Sequence, residues 1–219
     1  MSTYIISDIH GNNTQFRRAL KAVKLKKSDT LILLGDLIDR GEESKEVLDT
    51  IFLLQKHDFN IILLMGNHED MFLDSLNNFS TKVNWLRNGG DKTLSSFLTS
   101  DIKGIPKEYI ELIEKMKLFY EKDNFIFVHA GLNMTIQNPF EDKHSILWLR
   151  KWQEYFNSDW LGNRIIIHGH NPTHKDDILK QFAEKKNVLC IDNGSYLEKP
   201  GYGAICVLRL EDLSLKFIN

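Results

Sequence analysis

Five short apolar runs in this sequence each end in side chains that can bind a metal ion. The run at 61–65 is followed by Gly66, Asn67 and His68. The other four runs end in Asp8 and His10, in Asp36 and Asp39, in His129, and in His168 and His170. A short apolar run bounded by polar or glycine residues is typical of a buried strand. Because open α/β sheets bind ligands beyond the carboxyl ends of their strands, we expect these side chains to meet at one edge.

The histidines carry much of this prediction. Five of the eight histidines directly follow an apolar run, and the other three, which we expect at the surface, are His57, His144 and His174. A single histidine in such a place is more often a structural residue than a ligand. Five of them beside two aspartates favour a metal centre.

The spacing indicates how two ions would be shared. Asp8 and His10 are two residues apart, and alternate side chains of an extended segment point the same way, so both can reach one ion. Asp36 has two carboxylate oxygens and could bridge this ion to a second one. The remaining ligands of the second ion would be Asn67, His129 and His170. Mixed carboxylate and imidazole ligands suit Mn²⁺, Fe or Zn²⁺ better than Mg²⁺ or Ca²⁺, and we expect two ions of Mn²⁺.

Such a centre would act on phosphate. The positive charge of two divalent ions exceeds the negative charge of Asp8 and Asp36. The site is therefore cationic and favours a phosphate ester or anhydride. Ions about 3.5–4 Å apart clamp an oxyanion and activate a shared water, whose hydroxide would attack phosphorus in line. His68 could then protonate the leaving oxygen, with Asp39 orienting its ring. Arg40 and Arg150 could supply forked donors to phosphate oxygens.

The secondary structure must bring these residues together. Asp36 lies 28 residues after Asp8, and Asn67 lies 31 residues after Asp36. A strand–helix–strand unit takes about 30 residues, so the spacing predicts successive parallel crossovers. One expected helix begins after Asn12, and the others cover Ser44 to Lys56, 69–76, 106–117 and 146–156. A turn is expected at 85–91. A hairpin is expected across 118–128, and antiparallel strands at 164–167, 188–191, 202–208 and 213–218.

The overall composition limits the class of protein. With 219 residues and 42% hydrophobic content, the chain is expected to form one domain over 1–219, in which 77–117 could be a small helical cap. A net charge of −2 without long charge runs argues against nucleic-acid or membrane partners. Cys190 and Cys206 lie in apolar context and are expected to be free thiols. No signal peptide or apolar run of about 18 residues is evident, which favours a cytoplasmic protein. The oligomeric state is left open.

Five motifs, in chain order, resemble those of the calcineurin-like metallophosphoesterases. They are Asp8-Ile9-His10-Gly11, the segment Gly35-Asp36-Leu37-Ile38-Asp39-Arg40-Gly41, Gly66-Asn67-His68-Glu69, His129-Ala130-Gly131 and His168-Gly169-His170. The resemblance implies an α/β fold, a four-layer α/β/β/α sandwich of two mixed sheets flanked by helices. It implies the same ligands as above, His68 as general acid with Asp39, and Arg40 and Arg150 as phosphate-binding residues. It also offers Asn88 as a substrate contact and places His168 behind the ligands.

The resemblance leaves several functions open. The chain is most similar to the short bacterial serine/threonine phosphoprotein phosphatases, which implies a phosphoprotein substrate. The alternative is a symmetrical diadenosine tetraphosphatase acting on nucleotides; these enzymes typically lack the aspartate found here as Asp39 and carry Asp in place of Glu69. A metal-binding regulatory protein without turnover is a third hypothesis, disfavoured because His68 and Asp39 are needed only for turnover. A nuclease or phosphodiesterase would need a basic groove, which the sequence does not show.

Overall fold

The computed structural model describes residues 1–219, apart from the side chain of Gln153. The nine strands, numbered along the chain, are β1 (Thr3–Ile6), β2 (Thr30–Leu33), β3 (Asn60–Leu63), β4 (Phe119–Lys122), β5 (Phe125–Val128), β6 (Ile165–His168), β7 (Val188–Cys190), β8 (Ile205–Arg209) and β9 (Ser214–Ile218). They form two sheets, a five-stranded one ordered β3-β2-β1-β8-β9 and a four-stranded one ordered β4-β5-β6-β7. Each sheet contains parallel and antiparallel pairs, so both are mixed.

The helices connect the strands and cover the outer faces of the sheets. The α-helices are α1 (Asn13–Val23), α2 (Ser44–Lys56), α3 (Asn67–Ser75), α4 (Phe79–Trp85), α5 (Asp91–Ser96), α6 (Lys107–Glu114), α7 (Lys143–Trp148), α8 (Ser158–Leu161) and α9 (Lys175–Ala183). Asn12 caps α1, since its side-chain oxygen accepts the backbone N–H of Gln15 at 3.3 Å. Both this cap and the bounds of α2 agree with the sequence prediction.

The core has an inner and an outer part because the strands are buried on both faces. Ile5 and Ile32 are register partners, and they pack with Phe127 and Ile167 of the other sheet in the layer between the sheets. Alternate residues, such as Leu33, point the other way and pack against the helices. Strands covered on both faces need continuous apolar sequence, which is why these runs do not alternate with polar residues. The predicted α/β sandwich of two mixed sheets flanked by helices is confirmed.

The predicted crossovers of the first half are confirmed, whereas the predicted antiparallel tail is wrong in part. The pairs β1–β2 and β2–β3 are parallel and are connected through α1 and α2. The hairpin β4–β5 is also present. However, β6 pairs parallel with both β5 and β7 in the second sheet. The segment between β6 and β7 contains α9 and is therefore long enough for a parallel crossover. Only β8 and β9, joined by a short turn, are antiparallel as expected.

Three local predictions need correction. The expected turn at 85–91 is a π-helical turn, Leu86–Gly90, that joins α4 to α5 and contains Gly89 at φ 104°. The helix expected over 106–117 ends at Glu114, because the backbone of Lys117 instead bonds to Leu63 and Met65 beside β3. The helix expected over 146–156 is interrupted: α7 ends at Trp148, and a separate 3₁₀ turn covers Trp152–Tyr155.

Other predictions concern the two cysteines, three histidines and membrane-spanning helices. The thiols of Cys190 and Cys206 are free and buried, as predicted. His57 and His144 are exposed, while His174 is half-buried and caps α9. Among the described residues, no helix combines the length and the apolar character that crossing a membrane requires. The single domain and the cap at 77–117 remain predictions.

Candidate metal centre

The carboxyl ends of β1, β2, β3, β5 and β6 bring the predicted ligands to one edge, between the two sheets. Two groups of ligand atoms form there, and within each group all atoms lie within 4.8 Å of one another. The first group contains His10, Asp36 and His68, and the second contains Asp36, His129 and His170. All five side chains are buried. Asp36 belongs to both groups, as its predicted bridging role requires.

In the first group, the orientation of His10 is fixed from behind. Its Nδ1 lies 3.1 Å from the carbonyl oxygen of Ile38 and donates a hydrogen bond to it. In the neutral ring, Nε2 then carries no hydrogen and can act as an acceptor. That Nε2 lies 3.5 Å from Oδ2 of Asp36. Burial lowers the pKa of His10, so its ring is neutral and able to bind a cation. A lone pair and a carboxylate oxygen that face each other in a buried site fit a shared cation.

The second group shows the same convergence of acceptors. Nδ1 of His129 donates to the carbonyl oxygen of Leu34 at 2.8 Å, which turns its Nε2 towards the centre. This Nε2 lies 2.9 Å from Oδ1 of Asn67 and 3.4 Å from Oδ1 of Asp36. Nδ1 of His170 lies 2.9 Å from the same oxygen of Asn67. Two ring nitrogens and an amide oxygen that converge beside a carboxylate are a donor set that fits a divalent cation.

His170 gives an independent reason to expect a ligand. Burial, with a further contribution from His129, lowers the pKa of His170 to about 2, so its ring is neutral. Its Nε2 is buried and has no hydrogen-bond partner among the described residues. Buried polar atoms without a partner are rare in folded proteins and mark places where water or an ion binds. The neutral ring can thus bind a cation of the second group through Nδ1, whereas the unpartnered Nε2 is the other nitrogen of the ring and lacks a partner of its own.

Asp8 lies beside the centre, but it is not a member of either group of ligand atoms. Its carboxylate accepts the backbone N–H of His170 at 3.0 Å and the hydroxyl of Ser7. Burial and the neighbouring carboxylate of Asp192 raise the pKa of Asp8. A divalent cation next to these carboxylates would offset their mutual repulsion. The role of Asp8 as a ligand remains a prediction that this placement supports.

His68 and Asp39 form a buried pair next to Asp36. Nδ1 of His68 donates to Oδ2 of Asp39 at 2.7 Å, and its Nε2 lies 4.0 Å from Oδ2 of Asp36. Asp39 also accepts the hydroxyl of Thr93 at 2.6 Å and the indole N–H of Trp85 at 2.9 Å. Burial by itself would lower the pKa of His68, but the carboxylates of Asp36 and Asp39 raise it. The ring is therefore held with Nε2 towards the centre, and the neighbouring carboxylates favour its protonated form.

Glu69 fixes the two loops that supply Asp36 and Asn67. Its carboxylate accepts backbone N–H groups of Asp36 at 2.8 Å, Leu37 at 2.8 Å and Gly66 at 2.9 Å. Gly66 is required there because a Cβ atom would overlap the side chains of Asp36 and Glu69. The motif contains Glu69, but only the structure reveals this bracing role.

The backbone at the centre is unusual in a way that the sequence does not reveal. Several residues other than glycine have φ angles in the left-handed region. They are Asp8 (φ 49°), His10 (47°), Asp36 (51°), Asp39 (71°), Arg40 (70°) and His170 (68°). Such residues cost free energy and cluster at functional sites, where the surrounding structure holds them in place. Three of the five strand ends that deliver predicted ligands, those of β1, β2 and β6, are shaped in this way.

Asp192 is a buried carboxylate that the motifs did not identify. The sequence predicts only a turn at 192–194, and the turn is present: Oδ1 of Asp192 accepts the backbone N–H of Gly194 at 2.7 Å. Its side chain is 2% exposed and lies close enough to Asp8 to raise that group's pKa. Burial and the negative charge of Asp36 raise the pKa of Asp192 to about 7. A turn motif gives no signal of such burial, because burial depends on the other sheet.

The predicted substrate residues are placed unequally. The guanidinium of Arg40 lies 4.2 Å from the centroid of the Tyr196 ring, and that ring is 5.0 Å from the ring of His10. Arg150 is exposed and its Nη1 donates to Oδ1 of Asn171 at 3.2 Å, directly after His170 in the chain. The two arginines therefore border the centre, and Tyr196 joins them as a residue that the sequence did not suggest.

Asn88 and His168 lie apart from the ligand atoms. Asn88 is exposed, and its side-chain amide donates to the carbonyl oxygen of Asn84 at 2.8 Å. The structure thus gives it no contact with the centre, and its role as a substrate contact remains a prediction. His168 is buried, with Nδ1 2.9 Å from the carbonyl oxygen of Gly169, and burial lowers its pKa to about 4. It belongs to neither group, in agreement with the expectation that it lies behind the ligands.

Comparisons with known proteins identify relatives of this chain. Relatives named symmetrical bis(5'-nucleosyl)-tetraphosphatase include one from Vibrio parahaemolyticus, 32% identical over 134 residues, which covers 61% of this chain and 46% of that protein. Another, from Chromobacterium violaceum, is 27% identical over 183 residues and covers 82% of this chain and 60% of that protein. The chain thus spans about half the length of the curated relatives it matches.

Solved structures and a family model agree on the fold. A protein serine/threonine phosphatase from Saccharomyces cerevisiae has a TM-score of 0.70 at 18% identity, covering 99% of this chain and 78% of that one. A cold-active protein-tyrosine phosphatase from a Shewanella species has a TM-score of 0.63 at 17% identity, covering 100% and 80%. At such identities the likeness concerns the fold alone. The model of the calcineurin-like phosphoesterases matches residues 1–202, nearly the whole chain. The chain therefore belongs to the calcineurin-like phosphoesterase family.

Proposed function

We propose that this protein is a dinuclear-metal hydrolase that cleaves dinucleoside polyphosphates such as diadenosine tetraphosphate. The observation that carries the proposal is Asp36, whose two carboxylate oxygens take part in two separate groups of buried ligand atoms. The names of the curated relatives support a nucleotide substrate over the phosphoprotein that the motifs favoured. Because the chain spans only part of those relatives, the substrate is proposed from their names together with the site.

Each part of the centre has a task in this proposal. Asp36, His10 and Asp8 would hold one ion, and the second would be held by Asp36 with Asn67, His129 and His170. Two divalent cations, with Mn²⁺ proposed and Fe or Zn²⁺ as alternatives, would lower the pKa of a water and neutralise the phosphate oxygens. Arg40 and Arg150 would bind and orient the phosphate chain with their forked donors.

His68 would deliver a proton to the leaving oxygen. Its Nδ1 is tied to Asp39 at 2.7 Å, so Nε2 is the only ring atom free to face the substrate. The neighbouring carboxylates raise the pKa of His68, which favours the protonated ring. The ring would give this proton to the oxygen of the bond that breaks, and Asp39 would stabilise the proton until then.

A phosphoprotein phosphatase is the second candidate, and the pair of His68 and Asp39 favours it. The serine or threonine oxygen that leaves phosphorus is far more basic than the phosphate oxygen that leaves when a phosphoanhydride is cleaved, so the alkoxide needs the proton more. A well-supported general acid is therefore more valuable for a phosphomonoester of an alcohol. This candidate predicts a phosphorylated protein as partner, whereas the first predicts a nucleotide.

One assay separates these functions. We would strip the protein with chelator, restore Mn²⁺, and measure kcat/KM on p-nitrophenyl phosphate, a phosphothreonine peptide and diadenosine tetraphosphate. The proposal predicts a preference of about 100-fold, or roughly 3 kcal/mol, for the dinucleotide over the peptide. The same preference for the peptide would establish the second candidate instead.

The control is the Asp36→Asn variant, which loses the shared carboxylate and should be inactive on all three substrates. If the wild-type protein shows no turnover with Mn²⁺, Fe or Zn²⁺, the proposal of a hydrolase is wrong. The remaining hypothesis would then be a regulatory protein that binds metal without turnover.

A further inference from the structure

A pocket of about 370 Å³ lies beside the metal centre, and Arg150 is the one of its lining residues that has a task in the proposed function. It is bordered by α9, by the ends of β6 and β7, and by the segment after α7. The lining residues that matter here are Arg150, Trp152, His168, Lys180, Gln181 and Lys186. A volume of this size is typical of a pocket for a small organic ligand.

The pocket adjoins the centre through Arg150 and Asn171. Both residues line it, and Nη1 of Arg150 donates to Oδ1 of Asn171 at 3.2 Å. Asn171 directly follows His170, and the charge of Arg150 is close enough to lower the pKa of that ring. Arg150 therefore belongs to the pocket wall and also lies near the predicted ligand His170.

The charge of the lining favours an anion. Arg150, Lys180 and Lys186 are cationic, and Asp177 is the one carboxylate among the lining residues. This local excess of positive charge contrasts with the net charge of −2 of the whole chain. The ammonium groups of Lys180 and Lys186 lie 3.8 Å and 3.2 Å from the carboxylate of Glu184. These exposed ion pairs are weak, so both lysines remain available to a ligand.

The base of the pocket offers an acceptor that phosphate cannot satisfy. His168 is only 2% exposed, and its Nδ1–H donates to the carbonyl oxygen of Gly169 at 2.9 Å. Nε2 is therefore an acceptor, and it forms no hydrogen bond within the part of the chain that the structure describes. An ionised phosphate has no proton to donate, whereas a ribose hydroxyl or a base amino group has one. This acceptor in the pocket wall thus suits the nucleoside part of a ligand.

Two further side chains fit the same ligand. Oε1 of Gln181 accepts the backbone N–H of Cys190 at 2.9 Å, which leaves the amide NH₂ group of Gln181 as a donor in the pocket wall. Trp152 is half-buried and contributes an aromatic ring to the lining. Aromatic rings stack on any nucleobase. Donor, acceptor, aromatic surface and positive charge together match a nucleoside phosphate.

We propose that this pocket, which we name the arm pocket, binds the distal nucleoside of a dinucleoside polyphosphate whose reacting phosphate lies at the metal centre. This inference rests on the proposed function and deepens it. Arg150 would contact the phosphates that join the two parts, and Lys180 and Lys186 would neutralise those nearest the nucleoside. Trp152, His168 and Gln181 would recognise the nucleoside itself.

The test uses two variants and one matched control in the Mn²⁺-loaded protein. The variants are the double substitution Lys180→Gln with Lys186→Gln, and Trp152→Ala. The control is Lys107→Gln, because Lys107 forms a comparable exposed pair with Glu111 (2.7 Å) on α6, which does not line the arm pocket. For both variants we expect KM for diadenosine tetraphosphate to rise about 10-fold at unchanged kcat. For p-nitrophenyl phosphate, which has no nucleoside, kcat/KM should stay within about 2-fold, as should all values of the control.

A second measurement does not depend on turnover. Titration calorimetry on chelator-treated protein would compare adenosine diphosphate with inorganic pyrophosphate. We expect Trp152→Ala to weaken adenosine diphosphate about 10-fold and to leave pyrophosphate unchanged. The lysine variant should weaken both ligands, because it removes charge.

The outcomes separate this inference from the proposed function. If the dinucleotide is cleaved but its KM does not change in either variant, the arm pocket is wrong and the function stands. If the variants raise KM for a phosphothreonine peptide instead, or lower p-nitrophenyl phosphate turnover equally, the inference is also overturned. If the dinucleotide is not cleaved, the function is wrong, and calorimetry still decides whether the pocket binds a nucleotide: binding that depends on Trp152 supports it, and no binding refutes it.

Discussion

Nδ1 of His68 lies 2.7 Å from Oδ2 of Asp39, and both side chains are almost completely buried. The carboxylate receives two more hydrogen bonds, from Thr93 and Trp85, so its position is fixed from several sides. A carboxylate held in this way fixes both the orientation and the protonation of the ring beside it. The pair is therefore the part of the centre whose contribution to the reaction can be measured most directly.

Replacing His68 by Asn should lower the rate without releasing metal. We expect kcat on phenyl phosphate to fall about 1,000-fold, because the leaving oxygen loses its proton donor. The loss should be smaller on p-nitrophenyl phosphate, whose leaving oxygen is less basic. Metal content would be measured by mass spectrometry, and His57→Asn, at an exposed histidine, is the control. Equal losses on both substrates would contradict a role as general acid.

Replacing Asp39 by Asn should shift the pH dependence of the rate. Asp39 raises the pKa of His68, so the variant has a lower pKa at His68. Activity that needs protonated His68 is lost as the pH rises through this pKa. We therefore expect the alkaline limb of the kcat profile to move to lower pH, with kcat reduced about 10-fold near pH 7. Thr93→Val, which removes one hydrogen bond to Asp39, should shift the profile less, and a profile that moves to higher pH would refute the assignment.

Replacing Glu69 by Gln should destabilise the loops that carry Asp36 and Asn67. The carboxylate accepts three backbone N–H groups within 2.9 Å, and an amide presents NH₂ to at least one of them. We expect the free energy of unfolding to fall by about 2–3 kcal/mol, measured by urea denaturation, and metal affinity to fall with it. Glu114→Gln, at an exposed position on α6, should change neither value. Unchanged stability of the Glu69 variant would show that these hydrogen bonds do not brace the centre.

Removing the metal should lower the thermal stability of the protein. Binding to the folded state alone adds about 2.7 kcal/mol when the free metal is at 100 times its Kd. Chelation should therefore lower Tm, and Mn²⁺ should restore it. His170→Ala, which removes a buried ring nitrogen without a partner, should reduce this shift, whereas His144→Ala should not. A Tm that is the same with chelator and with Mn²⁺ would contradict metal binding at this centre.

Asp192 should make the metal-free protein less stable as the pH rises. Its pKa is about 7 in the folded protein, above the ordinary value of 3.8, so the folded state binds more protons between these values. The free energy of unfolding therefore decreases as the pH rises from about 4 to 7, by on the order of 2–4 kcal/mol for this group. Asp192→Asn, which can still accept the N–H of Gly194, should flatten this dependence in denaturation curves of chelated protein. A steeper fall in the variant would show that Asp192 is charged in the folded state.

The sequence by itself predicted the ligand residues and determined the order of the first strands. Apolar runs ending in Asp8, Asp36 and Asn67 at intervals of about 30 residues allow little other than parallel crossovers, because the length of a strand–helix–strand unit is fixed by geometry. The pairing of β1, β2 and β3 followed. The prediction for β6 and β7 is wrong. The segment between them is long enough for a parallel crossover, yet the two strands were expected to be antiparallel.

Only the tertiary structure decided which side chains beyond the motifs surround the centre. Asp192 and Tyr196 come from the loop between β7 and β8, and Thr93 and Trp85 come from helices of the middle region. No local pattern marks them, because a side chain's burial and neighbours depend on how the two sheets and the helices pack. The left-handed φ angles at Asp8 and Asp36 have the same origin. Short motifs thus predict the residues of the centre. The neighbouring charges and hydrogen bonds that shift their pKa values and fix their positions come from residues far apart in sequence.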